Sequence, residues 1–372
     1  MSSTASTSQN HFPDDHFPDI DPGPGPGRHR HYAGPQSDAP PQRPGLTGPQ
    51  AVLRPVVTVL TIGLVFVSVF LAAFHTPQAH RLPVAVAASD KTAALFDVRL
   101  QRVSPDGFQV DRYPDNASAR WAVEHRKVYA ALLADGGDPK IVYAGANGPA
   151  VSALVAPLAG LCSPSCQPAT QKWPVVDILP LSSGDSRGLS VFYASFGLVL
   201  AGFLFGQVTY QVAPRLSFGQ RVSSLALFAV VGGLATALIA STAFGAIPGP
   251  FLGIAGLVAL MAGAVGAATV LLIRIFGPIG VLLASIFLLV MGNASSGGVL
   301  PPEFLPDWLK PLSSVMPPGV GVRALDGLAY FHHDGLANGV VVLSVWIALC
   351  VAGLYLLDRI AASAAIVHAA RV

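Results

Sequence analysis

Long apolar segments constrain this chain more than any other feature. The first runs from Val52 to Phe74, and about 20 such residues cross the hydrocarbon core of a bilayer. Five more apolar segments follow, at about Leu189–Val212, Val222–Ile247, Phe251–Ile273, Gly277–Gly292 and Asn338–Leu357. Of the six segments the fifth, Gly277–Gly292, is short. We therefore expect an α-helical polytopic membrane protein with six spans, in contact with the lipid bilayer.

The distribution of charge supports this expectation. Charged residues make up 11% of the 372 residues, whereas a soluble domain carries about 25%. Between Gly188 and Pro302 the charged residues are three arginines, Arg215, Arg221 and Arg274. So few charges cannot cover the surface of a soluble enzyme of this size. The net charge of +2, with no basic run, gives no reason to expect nucleic acid as a partner.

Residues 1–51 precede the first span and are rich in Pro, Gly and His. Such a composition buries too little apolar surface to offset the entropy of ordering, so we expect a disordered tail. The repeats around His11 and His16 could hold a metal, but Pro and Gly fix no ligand geometry, which favours a solvated tail. Because the span begins after some 50 residues, it is typical of an uncleaved signal anchor.

Basic residues near the span ends predict the orientation. With the N-terminus inside, the cytoplasmic flanks carry seven such residues, Arg43, Arg54, Arg215, Arg221, Arg274, Arg359 and Arg371. The short outer loops then carry two, Lys310 and Arg323. The positive-inside rule therefore predicts that both termini are cytoplasmic, including a C-terminal tail at 359–372. We expect the protein in the plasma membrane.

Residues 75–188 carry 21 charged residues and read as a small α/β domain outside the membrane. Short apolar or alternating runs predict strands, and helical spacing of Ala119, Ala122 and Val123 predicts a helix capped by Asn116 or Ser118. The expected strands are Leu82–Ala88, Phe108–Tyr113, Val128–Leu133, Lys140–Ala146 and Val175–Leu181, and the expected helices are Asn116–Arg126 and Pro149–Leu161.

The outer domain shows no catalytic sequence pattern, so we expect neither an enzyme nor a bound cofactor or metal. His125 lies beside other polar residues on a helix face that should be solvated, and Asp177 should be structural. Cys162 and Cys166 enclose three residues. A local disulfide in an oxidising compartment is the favoured interpretation, and free thiols are the alternative.

The predicted spans are rich in glycine and almost free of ionisable side chains. Glycines four apart, such as Gly202 and Gly206, let helix backbones approach closely in lipid. Proton-coupled carriers place carboxylates or histidines at membrane depth. Their absence from the sequence of the predicted spans argues against proton coupling, so energy for transport would come from another subunit.

The most distinctive segment follows the fifth span. Residues 293–337 contain Ser295-Ser296-Gly297-Gly298, Pro301, Leu305-Pro306, Trp308 and Met316-Pro317-Pro318. Prolines and glycines prevent a long helix here, and Trp308 is suited to the level of the lipid headgroups. We expect an outer hairpin, partly re-entrant or interfacial, that leads into the last span and whose candidate site residues are Gly297, Gly298, Pro301, Pro306 and Trp308.

This hairpin, which also contains Val322-Arg323-Ala324-Leu325, resembles the one before the last span of ABC-2 type transporter permeases, in the phage-infection-protein-like branch. The outer-domain segments Leu82-Pro83-Val84-Ala85-Val86 and Val175-Val176-Asp177-Ile178-Leu179-Pro180-Leu181 agree, and the likeness covers about residues 53–358. The resemblance implies one span, a large outer domain and then a five-helix membrane domain at 189–358.

The resemblance also implies function and partners. It implies a permease subunit that forms a homodimer and works with a separate ABC ATPase, exporting a hydrophobic or envelope-associated substrate. The contact with the ATPase would be the loop after the second span, with Arg215 and Arg221, although both could simply anchor the topology. The alternative is a non-transporting envelope protein whose outer domain binds a secretion component or a surface ligand.

Overall fold

The computed structural model describes residues 49–136, 138–160 and 173–369. Five helices in it are long and apolar enough to cross a membrane. They are α1 (Pro49–Phe74), α5 (Ser190–Val212), α6 (Phe218–Ala237, extended by a π-helical turn at Leu238–Ala243), α7 (Phe251–Phe276) and α11 (Leu336–Ala369). The chain is thus mostly helical, with five helices of membrane-spanning length and composition and a small domain that contains a mixed sheet.

The fifth predicted span is a shorter helical segment. It consists of α8 (Pro278–Ala284), a π-helical stretch at Ser285–Met291 and α9 (Gly292–Ala294). Its 17 residues, 278–294, fall below the length of the five other candidates, so six spans are not established by length and composition. At 1.5 Å per residue the segment covers about 25 Å.

Helix α7 is the centre of the bundle. It is 72% buried over its most apolar window, against 33% or less for the other four long helices. Small residues make this possible, because a Cβ on Gly233 of α6 would lie 2.4 Å from the carbonyl oxygen of Ala255 in α7. Helix α1 is the least buried of the five long helices, since only 6% of its most apolar window is buried.

The substitution Gly233→Ala is expected to destabilise the bundle, because the backbone of α7 has to move away from the new methyl group. Overpacking of this kind costs about 1–3 kcal/mol. Gly256→Ala in α7 is the matched control, since a Cβ there meets nothing within 4 Å. Thermal unfolding in detergent should show a lower Tm for the first variant alone, and equal Tm values would contradict the packing argument.

The α/β domain contains a five-stranded mixed sheet in the order β2-β1-β3-β4-β5. The strands are β1 (Leu82–Ala87), β2 (Phe108–Arg112), β3 (Ala130–Leu133), β4 (Lys140–Tyr143) and β5 (Val175–Asp177). Strand β1 pairs in parallel with β2 and β3, β3 and β4 are antiparallel, and β4 and β5 are parallel. The helices are α2 (Asp90–Val103), α3 (Asn116–Glu124) and α4 (Pro149–Val155).

Alternation along β1 divides the core of this domain between two faces of the sheet. Leu82, Val84 and Val86 pack in one cluster with side chains of α2 and α4. Ala85 and Ala87 pack in another with the buried face of α3. Both clusters also include residues from much later in the sequence, namely Leu300 and Phe304 in the first and Phe331 in the second.

The hairpin at 293–337 is therefore a connector between the domain and the bundle. It contains short 3-10 turns at Pro302–Phe304 and Lys310–Ser314 and a helix, α10 (Pro317–Ala329), that the sequence did not reveal. Leu305 and Leu309 are almost fully buried and pack with Ala73 of α1 and Ala294 of α9. Trp308 is exposed.

Several local predictions need correction. Helix α2 was not predicted, because its apolar residues are mixed with charged ones over Asp90–Val103. The cap of α3 is Asp115, whose carboxylate accepts from the Ser118 N–H at 2.7 Å, and not Asn116 or Ser118. Strands β4 and β5 and helix α4 are shorter than expected. Pro149–Leu161 holds one α-helix up to Val155 and then a 3-10 turn at Ala156–Gly160.

Candidate functional site

A cavity of 380 Å³ lies where the α/β domain meets the ends of α5, α10 and α11. We call this end of the bundle the domain end and the other the far end. The domain contributes residues after α3 and before α4, and the hairpin contributes its glycines and prolines. The polar residues that line the cavity are Arg126, Tyr129, Asn147, Ser296, Ser313, Ser314, Arg323, Asp326, Asp334 and Asn338.

Arg126 joins the domain to α10. It follows α3 with a φ of 52°, a left-handed conformation that turns the chain sharply. Its guanidinium lies 4.3 Å from the centre of the Phe331 ring and donates to Asp326 Oδ2 at 2.8 Å. Nε of the same side chain donates to Asn147 Oδ1 at 3.4 Å.

The pair of Arg126 and Asp326 is largely buried, with side-chain exposures of 13% and 15%. Burial raises the pKa of Asp326, and the neighbouring Arg126 opposes that rise. An ion pair withdrawn from water is costly to break, because it leaves one uncompensated charge in a poorly solvated site. The pair therefore holds α10 against the domain.

A second link between the domain and the bundle is centred on Asp334, which precedes α11. Arg323 Nη2 donates to its Oδ2 at 2.8 Å, and Lys127 Nζ donates to its Oδ1 at 3.3 Å. The Asp334 side chain is 9% exposed, whereas its two partners are half exposed. Helix α10, helix α11 and the domain thus meet at one carboxylate.

Tyr129 and Glu303 make a third link. The Tyr129 hydroxyl donates to Glu303 Oε2 at 2.5 Å, and the backbone N–H of His80 donates to the Glu303 carbonyl at 2.9 Å. Burial, together with the Glu303 carboxylate, raises the pKa of Tyr129 well above its usual value. The phenol therefore stays protonated and remains a donor at physiological pH.

Asn147 lines the cavity at the end of a 3-10 turn, Gly145–Asn147. Asp177 holds this turn in place, since its Oδ1 accepts from the N–H groups of Gly145 and Leu179 at 2.8 and 3.1 Å. Asp177 is thus structural, as predicted. Asn147 is 9% exposed, and its Nδ2 has no hydrogen-bond partner among the described residues.

Three of the five predicted hairpin residues line the cavity, namely Gly297, Gly298 and Pro301. Gly297 has a φ of 78°, and a Cβ on Gly298 would lie 2.9 Å from Cβ of Phe192, so glycine is required at both positions. Pro306 and Trp308 are outside the cavity lining. The Pro306 carbonyl accepts from the N–H groups of Leu309 and Lys310 and so shapes the turn.

At the far end, the predicted loop residues Arg215 and Arg221 have different environments. Arg215 is exposed in the connection between α5 and α6. Arg221 is mostly buried, and its guanidinium pairs with Asp358 at 3.5 Å and donates to the Leu216 carbonyl at 3.2 Å. Arg274 also pairs with Asp358, at 3.2 Å. The far ends of α6, α7 and α11 are therefore joined by a charge cluster.

Two predictions fall on residues that lie outside the described ranges. They are the disulfide between Cys162 and Cys166 and, for residues 1–48, the disordered tail predicted at 1–51 with its histidines. Residues 49–51 of that predicted tail belong to α1. Within the described ranges no cluster of three metal-ligating side chains occurs. His125, predicted on a solvated face, is partly buried and stacks on Trp121 and His332 at 4.1 and 4.9 Å between ring centres.

Sequence reasoning missed the polar residues that define the cavity, namely Arg126, Asn147, Asp326 and Asp334. Asp326 and Asp334 carried no distinct signal, because the hairpin segment also contains Glu303, Asp307, Lys310 and Arg323. Asn147 carried none, since an asparagine between glycines is typical of any turn.

No family model, no curated protein and no solved structure matches this chain.

Proposed function

We propose that this protein is an ABC-2 type transport permease subunit that exports a hydrophobic or envelope-associated substrate with a separate ATPase. One observation carries the proposal. The hairpin residues on which the resemblance rests, Gly297, Gly298 and Pro301, form part of a 380 Å³ cavity at the domain end of the bundle. A cavity between a membrane bundle and an outer domain suits a substrate that leaves the lipid.

The short helix at 278–294 is proposed as a sixth crossing. Helix α7 ends near Arg274, which pairs with Asp358 in the far-end cluster. Ala294 packs with Ala73 and Leu309 at the domain end. The chain has to pass from one end of the bundle to the other between these points. The π-helical stretch and the modest length then imply a locally thinner bilayer or a tilt of its neighbours.

Charge placement supports an orientation with both termini cytoplasmic, and we propose the plasma membrane as the location. Within the described spans, the charged residues Arg54, Arg221, Arg274, Asp358 and Arg359 all belong to the far end. Four of these five are basic, as the positive-inside rule requires of a cytoplasmic end. The same placement leaves the middle of the described spans without a proton-accepting group, which supports an external source of energy.

Copurification tests the proposal. The full chain, extracted in mild detergent from its native membrane, should bring down an ATPase subunit in stoichiometric amount. Arg215→Ala should weaken that association because Arg215 is exposed, while thermal stability should stay unchanged. The control is Arg187→Ala, an exposed arginine at the domain end. Repeated failure to recover an ATPase would contradict the proposal.

A second candidate function has support from the far end. Arg221 is committed to Asp358, and the connection between α5 and α6 is five residues long, 213–217. Such an end offers an ATPase little surface. A non-transporting envelope protein that binds a secretion component or a surface ligand through its domain would need no such surface. Crosslinking of the full chain in cells would then recover an extracytoplasmic partner and no ATPase.

Helix α1 supports the proposed homodimer. Its apolar window is 6% buried, so nearly all of its surface is available to lipid or to a second copy. Crosslinking through single cysteines along α1 would reveal a periodic pattern if α1 forms the interface.

A further inference from the structure

We propose that the cavity at the domain end binds an anionic oxygen-rich group, of the phosphate or phosphodiester type, with Asn147 as a principal donor. This binding site does not depend on an ATPase partner. The inference starts from Asn147, because its Nδ2 is a buried donor without an acceptor among the described residues. An unsatisfied buried donor costs about 1–3 kcal/mol, and a bound acceptor would remove that cost.

The orientation of the Asn147 amide is fixed by its neighbour. Arg126 Nε can only donate, and it lies 3.4 Å from the atom assigned as Oδ1. Exchanging the amide oxygen and nitrogen would place two donors against each other. The unpartnered atom is therefore the NH2 group, and what it lacks is an acceptor.

The cavity around Asn147 favours negative charge. Three helices of 13 or more residues, α5, α10 and α11, begin at its wall, where Val191, Gly319 and Asn338 line it. Helix N-termini carry a partial positive charge. The formal charges that line the cavity, two arginines and two aspartates, cancel. The helix N-termini therefore leave a partial positive charge at the wall of the cavity.

The candidate hydrogen-bond donors in the cavity come from three parts of the fold. Asn147 comes from the domain, Ser296 and Gly297 come from the hairpin, and Arg323 comes from α10. Arg323 is half exposed and reaches Asp334 through one of its nitrogens, Nη2, so the rest of its guanidinium can donate elsewhere. Phosphate oxygens accept several such bonds at once.

Either a lipid headgroup or free phosphate could supply this chemistry. The cavity adjoins the ends of apolar helices, so a headgroup could enter with its tails along the bundle. The experiment therefore has two arms, carried out on the purified full chain without any ATPase. One arm adds inorganic phosphate in detergent against sodium chloride of equal ionic strength. The other compares nanodiscs of phosphatidylglycerol with nanodiscs of phosphatidylcholine.

A saturable rise in Tm is expected in at least one arm, and the arm identifies the source. Asn147→Leu, which is nearly isosteric, should weaken the affinity at least tenfold. Its Tm without ligand should change little, because the variant removes the unsatisfied amide nitrogen but also the oxygen that accepts from Arg126 Nε. Arg323→Gln should weaken affinity similarly. Arg120→Gln, on the exposed part of α3, is the control for loss of charge and should bind as the native chain does.

No saturable stabilisation in either arm would overturn the inference, as would an unchanged affinity in Asn147→Leu. Neither result would bear on the proposed ATPase partner, because no ATPase is present. Conversely, failure of copurification would leave these binding measurements unaffected.

Discussion

Replacing Phe331 by alanine is expected to lower the free energy of unfolding by about 3–5 kcal/mol, the cost of removing a fully buried aromatic ring. Phe331 is 0% exposed, packs in the α3 face of the domain core and lies under the Arg126 guanidinium. Its loss removes apolar contacts and a cation–π contact together. We therefore expect one of the largest single-residue effects in the chain.

The measurement is thermal unfolding of the full chain in detergent, combined with hydrogen exchange. Exchange should rise in α3 and β3, which share the cluster with Phe331, before it rises in the bundle. Phe244→Ala is the matched control, since that ring is 71% exposed and its removal should change stability by less than about 0.5 kcal/mol. Equal losses in the two variants would show that Phe331 has no special role.

The second large effect concerns the buried pair of Arg126 and Asp326. Arg126→Met should cost about 3–5 kcal/mol, because it leaves the Asp326 carboxylate buried and unpaired. The double variant Arg126→Met, Asp326→Leu should be much closer to the native chain, since neither charge remains. Arg120→Met, at a half-exposed pair with Glu124, should cost at most about 1 kcal/mol.

The loss in Arg126→Met should depend on pH. Burial already raises the pKa of Asp326, and removing the arginine removes an opposing influence, so the pKa rises further. A carboxyl group whose pKa is raised in the folded state favours folding when protonated, and that advantage disappears as pH rises through its folded pKa. Arg126→Met should therefore be least destabilising in acid. A pH-independent loss would contradict this account.

The sequence predicted the broad organisation because it depends on patterns that are local in the chain. A run such as Val52–Phe74 has few alternatives to a spanning helix, and a short apolar run such as Leu82–Ala87 is typical of a buried strand. Helix α2 was missed because charged residues interrupt its pattern. Helix α10 was missed because it begins with two prolines and contains three glycines. Proline is nevertheless compatible with the first turn of a helix.

The cavity was predictable only in part. Gly297, Gly298 and Pro301 attracted attention because glycine and proline restrict or free the backbone locally. The pairing of Arg126 with Asp326 links residues 200 positions apart, and no local pattern in a single sequence records such a contact. The same reason hid the role of Arg221, whose partner Asp358 lies 137 residues later.

The placement of Leu300, Phe304 and Phe331 in the two cores of the domain has a consequence for biosynthesis. During translation, the segment up to residue 188 emerges long before these side chains exist. Until α8 to α10 have been made and inserted, folding of the domain would be incomplete and part of its interior would be exposed. Completion of the domain core would therefore depend on the later helices being in place, and a truncated chain would remain a substrate for quality-control proteases.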